Sequence, residues 1–301
     1  MPHELWDRVA EQVTLHGLLV NAPYVVAFVA VAAELAWRTW RAPGERRPFL
    51  LAAATATAMG AGAFVVGLAY TAGMRFSWET LGPFRWEAAT SLWADHPVVG
   101  ALVTFVAWDL AGWVYHLLGH RTAIGWAAHQ AHHSGPGYDL TIGLRQSWTP
   151  VAGLVVHPFL ALAGFDLRVV FVCAAISNCW QVLEHTAAPV RLPGWLEAVV
   201  MTPAAHRHHH ARTGDLVNIG PFLTVWDRLA GTWVPTSAPA PVAYGPATPA
   251  SANPLRVEAA GWAALLRRPA GRAPASRARP AVREGVGLPR QLAHEVAGGG
   301  S

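Results

Sequence analysis

Residues 18–37 form an apolar run with one late charge, Glu34, and residues 49–72 form a second with none. As helices rising 1.5 Å per residue, both are long enough to cross a hydrocarbon layer of about 30 Å. The positions before the first run hold Glu4, Asp7, Arg8 and Glu11 rather than the basic cluster of a signal peptide, so this run is expected to remain as a span. Between the two runs stand Arg38, Arg41, Arg46 and Arg47 against Glu45 alone, which by the positive-inside rule places this loop in the cytoplasm and the N-terminus outside. A third apolar run, 97–118, returns to the cytoplasmic side. A fourth region, 151–183, is broken near Gly164, Asp166 and Arg168. Each of its arms is shorter than or close to the roughly 20 residues of a full span, which predicts a helical hairpin that goes out and comes back.

From about residue 235 the pattern dissolves into Pro, Ala and Arg, predicting a disordered tail over 236–301. One stretch within it, 255–268, reads as a basic amphipathic helix able to lie on anionic lipid. The chain therefore divides into membrane spans with an outer loop (1–97), a histidine-bearing region (98–235) and the tail. The expected fold is all-α: a polytopic protein of the cell membrane, with three spans plus a helical hairpin and a histidine-rich helical cap on the cytoplasmic side.

Composition supports this and narrows the chemistry. Of 301 residues, 53% are hydrophobic and 13% charged, too apolar for an ordinary soluble domain. The net charge of +4 resides in the tail, where eight Arg face three Glu, so it gives no argument for binding nucleic acid. Cys173 and Cys179 form neither a disulfide framework nor a CxxC motif. There is no GxGxxG after a strand pattern and no Walker loop, so reducing equivalents have to come from another protein.

The histidines stand out against this apolar background. His116 and His120 are four apart, His129, His132 and His133 follow as H-x-x-H-H, and His206, His209 and His210 repeat that pattern, with His185 alone between them. Residues three and four apart share a helix face. Nine imidazoles exceed the four to six ligands one ion takes, so two ions sharing the clusters would use them all. His3, His16, His96, His157 and His294 read as isolated polar residues, and His208 is expected to point away. Axial haem ligands sit singly and deep in facing spans, and loose metal-sequestering loops lack this helical spacing. Asp109, two turns before His116 on the same face, suits a carboxylate that accepts a hydrogen bond from a metal-bound imidazole; a helix–helix hydrogen bond or pairing with Arg121 or Arg145 is the alternative. Asn178, Gln181 and His185 share a face and are candidates to line the substrate side of a metal pocket. Asp227 and Arg228 are expected to lock the cap.

The order H-x3-H, H-x2-HH, lone His, H-x2-HH resembles the sterol desaturase and fatty acid hydroxylase superfamily of integral-membrane histidine-box di-iron oxygenases. The resemblance extends to Trp108-Asp109, to WAAHQAHHS from Trp126, to Arg145, to Asn218 and Gly220, and to WDRLAGT from Trp226 to Thr232, covering about 98–234. There are departures. Leu117 follows His116 where most members have arginine, Gln181 stands where some carry a further histidine, and 216–220 reads LVNIG in place of a more polar element.

The resemblance implies a membrane oxidoreductase that hydroxylates or desaturates an unactivated C–H bond of a lipid: a fatty acyl chain, a sterol or hopanoid, or a carotenoid. It implies two Fe ions at the nine histidines, with Zn able to replace them on purification, and O2 as co-substrate. The electron donor would be an external ferredoxin or cytochrome-type protein with its reductase. The alternative is a non-enzymatic membrane protein that binds or stores metal. Closure separates the two: an oxygenase needs its clusters sealed beside a lipid pocket, a carrier needs exposed, exchangeable sites.

Overall fold

A computed structural model describes residues 22–267 except 24, 42–43, 45, 150–152, 189, 213–215, 237–242 and 247–250. The side assigned to the N-terminus and most of the tail lie outside the described residues. Among the described residues the chain is helical and has no sheet, only isolated bridges at Val200–Leu223 and Ala211–Tyr244.

Helix α1 (25–41) leads to α2 (Arg46–Thr80), α3 (Glu87–Asp95) and α4 (Pro97–Arg121). Among the described residues, three helices are long and apolar enough to cross a membrane: α2, α4 and α8 (Leu167–Glu184). The expected first span, 18–37, is described only in its later part. The expected hairpin is present, with unequal arms. Its first, α7 (Gly153–Leu162), is too short to cross and contains Pro158, whereas α8 has 18 residues. The turn between them needs Gly164, at φ 75°, where a side chain would meet Thr90 Oγ1 at 2.8 Å. Asp166 then caps α8, accepting from the Arg168 amide at 2.8 Å. A cluster of Met74, Val156, Leu160, Phe165, Val170 and Phe171 joins α2, α7 and α8.

The cap is made of short helices. α5 (Ala123–His129) folds back against the end of α4, and α6 (Thr141–Leu144), α9 (Gly194–Glu197), α10 (Pro203–His209) and α11 (Val225–Ala230) follow, with a 3-10 turn at His132–Ser134. The α4–α5 corner depends on Gly125: a Cβ there would lie 2.3 Å from the Leu118 carbonyl. Thr122 caps α5, accepting from the Gly125 amide at 2.9 Å. α1 is tied to the cap through Glu34, which accepts from the Leu140 amide at 2.9 Å and pairs with Arg38 at 3.0 Å.

The helix expected within the tail is α12 (Pro254–Leu266), and its surroundings differ from the lipid surface expected for it. It docks on α5 instead, because Gly261 lets the backbones meet; a Cβ there would stand 2.3 Å from the Ala127 carbonyl. Gln130 Nε2 donates to the Val257 carbonyl at 3.0 Å. Glu258 accepts from Ser147 Oγ at 2.8 Å and from the Trp148 amide at 3.1 Å.

Candidate metal centre

Each histidine is set by a helix end. His116 and His120 lie on the last turns of α4, His129 closes α5, His132 and His133 form the 3-10 turn, and His185 is the C-cap of α8. His206 and His209 lie on α10, capped by Thr202, and His210 is its C-cap. Arg145 steadies the 3-10 turn by donating to Ser134 Oγ at 3.1 Å.

The rings gather into two groups. His116, His120, His129, His133 and His209 form one; His132, His185, His206 and His210 form the other, and within each group one nitrogen per residue lies within 4.8 Å of the rest. Each H-x-x-H-H box is split between the groups. Residues four apart stay together, as His129 with His133 and His206 with His210, while His132 and His209 cross over. His208, half-buried, belongs to neither.

The hydrogen bonds aim the rings. A carbonyl only accepts, so His116 Nδ1 donates to Ile219 O at 2.7 Å, His185 Nδ1 to Gln181 O at 2.6 Å, and His209 Nδ1 to Val217 O at 3.1 Å. The Nε2 lone pairs then face inward. His133 Nε2 lies 3.1 Å from His129 Nε2 and 3.2 Å from His209 Nε2, and His210 Nε2 lies 3.1 Å from His185 Nε2 and 3.0 Å from His206 Nε2. Two nitrogens about 2.1 Å from a shared ion and at right angles to each other stand about 3.0 Å apart. Burial, reinforced by neighbouring imidazoles, pushes His129, His132, His133, His206, His209 and His210 well below the usual histidine pKa, keeping them neutral. Converging neutral lone pairs without their own protons fit a cation, and the donor set suits iron or zinc.

Asp109 departs from its expected role. Its Oδ2 accepts from the Trp226 indole at 2.8 Å and from the Leu223 amide at 3.2 Å, so these bonds tie α4 to α11 rather than to an imidazole. Backbone carbonyls take the orienting role at three histidines. A fourth, His206, has a buried carboxyl group nearby that sequence reasoning passed over: Glu184 lies 3.8 Å from His206 Nδ1, near it but beyond hydrogen-bond distance. The signal was present in an acid directly before His185 in an apolar helix, costly there unless paired. Asp227 accepts from the Ile219 amide at 3.1 Å, the Gly220 amide at 2.7 Å and Thr232 Oγ1 at 2.6 Å. Arg228 stacks on Trp233 at 4.4 Å.

Both groups open on one cavity of about 360 Å³. His116, His129, His132, His185 and His206 line it, together with Asn178 and Gln181 and with the apolar Met74, Trp108, Val156 and Phe171. Gln181 Nε2 donates to Ser177 Oγ and Asn178 Oδ1, both at 3.2 Å, while its backbone carbonyl holds His185. The remaining polar lining comes from Gln146, Ser147, Thr149, Tyr115 and Thr71; among the described residues, no lining side chain apart from the histidines is ionisable below the tyrosine range.

Residues 101–232, which carry all nine histidines, match the fatty acid hydroxylase family. This region is similar to that family over its whole histidine-bearing length. The chain is also similar to alkylglycerol monooxygenases: 32% identical over 155 residues to that of Danio rerio, covering 50% of this chain and 32% of that protein. For the Xenopus tropicalis protein the identity is 33% over 135 residues, 44% of this chain and 30% of the relative. For the Homo sapiens protein it is 33% over 132 residues, 43% and 29%. The chain thus spans about a third of the length of these relatives. No solved structure matches it.

Proposed function

We propose that this chain is a membrane monooxygenase that inserts one atom of O2 into a C–H bond of a neutral lipid, with two irons held by the nine histidines. The observation that carries the reading is the opening of two histidine groups, one buried and one largely so, onto a cavity whose other walls are mostly apolar. Buried ligands beside such a cavity suit oxidation of lipid better than exchange of metal with water. The family of the histidine region and the relatives' names favour hydroxylation over desaturation. The uncharged lining favours a head of hydroxyl, ether or amide groups over a carboxylate or phosphate, and a glycerol ether has that chemistry.

Iron bound there would supply the O2-activating redox chemistry that acid-base groups lack for a strong C–H bond. His116, His120, His129, His133 and His209 would hold one ion, and His132, His185, His206 and His210 the other. The carbonyls of Ile219, Gln181 and Val217 fix ring tautomer and direction, Glu184 faces the outer nitrogen of His206, and Asn178 and Gln181 offer hydrogen bonds beside the reacting end of the lipid. The apolar walls around Met74, Trp108 and Phe171 exclude water and receive the chain. Each turnover joins one oxygen atom to carbon and reduces the other to water, so two electrons and two protons must arrive from outside. An external ferredoxin or cytochrome-type donor with its reductase fills that role on the cytoplasmic side of the cell membrane, the side indicated by Arg38, Arg41, Arg46 and Arg47.

Lipid profiling of a host with and without the gene, grown under labelled O2, tests this. The expected product carries one labelled oxygen. Unchanged lipids in a host where the protein holds iron and a reducing partner is supplied would overturn it.

A further inference from the structure

The exposed apolar surface of α4 is concentrated in its first half, with Leu118 exposed again near its end. Val98, Val99, Leu102, Val103 and Val106 are exposed, as are Val172 and Ile176 on α8. Beyond Val106 the covering changes. Phe222 sets its edge against Phe105, with centroids 5.1 Å apart, and packs on Trp180 of α8 at 5.6 Å. Four residues on, Trp226 donates to Asp109. Asp109 is the midpoint of the 25-residue α4, about 18 Å along its axis from Pro97. A hydrocarbon layer about 30 Å thick that begins near Pro97 extends past this level. With the layer placed so, residues 222–226 are fixed to the spans at the level of its acyl chains.

The outer face of this segment has the matching chemistry. Val199 O accepts from the Thr224 amide at 2.9 Å and Ala198 O from Thr224 Oγ1 at 2.7 Å, which joins the α9 turn to the start of α11. Trp195 and Val199 share one face of the first; Val225 and Leu229 share one face of the second. All four are exposed, Trp195 at 72% and Leu229 at 77%. Arg191 and Arg228 are exposed beside them, and the nearby acid, Glu197, is engaged by Thr236 at 2.7 Å.

We propose that α9 and α11 form a monotopic seat in the leaflet on the histidine side, with Trp195, Val199, Val225 and Leu229 among the acyl chains and Arg191 and Arg228 at the phosphate level of anionic phospholipid. The surface continues the lipid-facing side of α4 and α8, and its apolar centre with a basic rim is the pattern of interfacial binding. Gly220 and Pro221, next to the pinned residues, line the cavity. The seat thus places one cavity wall below the headgroups, so a lipid reaches the histidines without leaving the bilayer. The inference rests on the spans and the cap surface, and holds whether or not the chain oxidises lipid.

Spin labels test it on the full chain in nanodiscs of phosphatidylcholine and phosphatidylglycerol, with Cys173 and Cys179 replaced by alanine and metal content checked for intactness. Labels at Val199→Cys and Leu229→Cys are expected to be relaxed by O2 and shielded from a water-soluble nickel chelate, as at the lipid-facing control Leu102→Cys. Arg256→Cys, on the exposed face of α12, should show the reverse. Nickel access at 199 and 229 equal to that at 256 would overturn the proposal by putting the face in water. Shielding from both reagents would overturn it equally, showing a second copy or another protein as the cover.

Discussion

Asp227 and His116 are joined through a single residue: Asp227 Oδ1 accepts from the Ile219 amide at 3.1 Å, and the Ile219 carbonyl accepts from His116 Nδ1 at 2.7 Å. Asp227→Ala strands the buried amides of Ile219 and Gly220, each at about 1–3 kcal/mol, and frees the peptide that directs His116. The expected outcome is a lower melting temperature together with weaker metal binding in the five-histidine group. Asp227→Asn keeps one acceptor and should recover part of both. A variant that lost stability but kept full metal affinity would separate Asp227 from the histidine.

Ligand deletions should act group by group. His209→Ala opens the five-histidine group and His132→Ala the other, so each is expected to lose about one iron equivalent, read by elemental analysis, and all lipid oxidation. His208→Ala should change neither. Loss of metal in His208→Ala with retention in His209→Ala would put the wrong histidine in the third box.

Glu184→Gln replaces the carboxyl group facing His206 by an amide with little change of shape. Partners of this kind typically contribute about 10–100-fold in metal affinity, so competition with a chelator should show one of two ions weakened by that order. Equal affinity for both ions in wild type and variant would leave Glu184 no orienting part.

Acid should destabilise the protein through the same rings. The folded-state pKa values of His129, His132, His133, His206, His209 and His210 are depressed by burial and mutual repulsion. Below the unfolded value of about 6.5 the unfolded chain takes up protons that the folded chain refuses, so stability falls as pH drops. Thermal unfolding of metal-free protein should shift downward from about pH 7.5 to about pH 5.5 and level off above neutrality. Bound metal, which competes with those protons, should raise the whole curve. A melting temperature independent of pH over this range would contradict the neutral rings.

The docking of α12 is testable at Gly261. Gly261→Val drives a side chain into the Ala127 carbonyl, and Glu258→Ala leaves the Trp148 amide without its acceptor. Both should lower stability, the second by about 1–3 kcal/mol. Because Ser147 lines the cavity, the range of lipid chain lengths oxidised should widen as well, as seen by mass spectrometry of a mixed lipid pool.

Much of this centre was legible in the chain because ligand spacing on a helix is a local property. His129 and His133, four apart, had to share a direction, and the apolar runs fixed α2 and α4 as spans. The break at Gly164 and Asp166 was legible for the same reason. Long-range pairings were not. The sequence could not show that His132 and His209 leave their own boxes, since that depends on the crossing of the 3-10 turn with α10. Nor could it show that backbone carbonyls orient the rings, because Ile219, Gln181 and Val217 have side chains unrelated to that task. Asp109 misled for a physical reason: a buried carboxylate must find donors, but spacing along α4 does not reveal that Trp226, 117 positions later, supplies one. α12 was legible as a helix, whereas its partner surface depended on a contact with Ala127 that only the fold creates.

The small residues around the cavity have an evolutionary consequence. Ala63 on α2 and Ala174 and Ala175 on α8 line the space directly, whereas Gly112 is held small by Pro221, which a Cβ would approach to 3.0 Å. The alanine positions are therefore free to grow while the glycine is not. An exchange of alanine for valine or leucine there would shorten the chamber without disturbing a histidine, its carbonyl or its helix cap. Descendants of one such scaffold could diverge in the lipids they accept by single steps, keeping the oxidative machinery constant throughout.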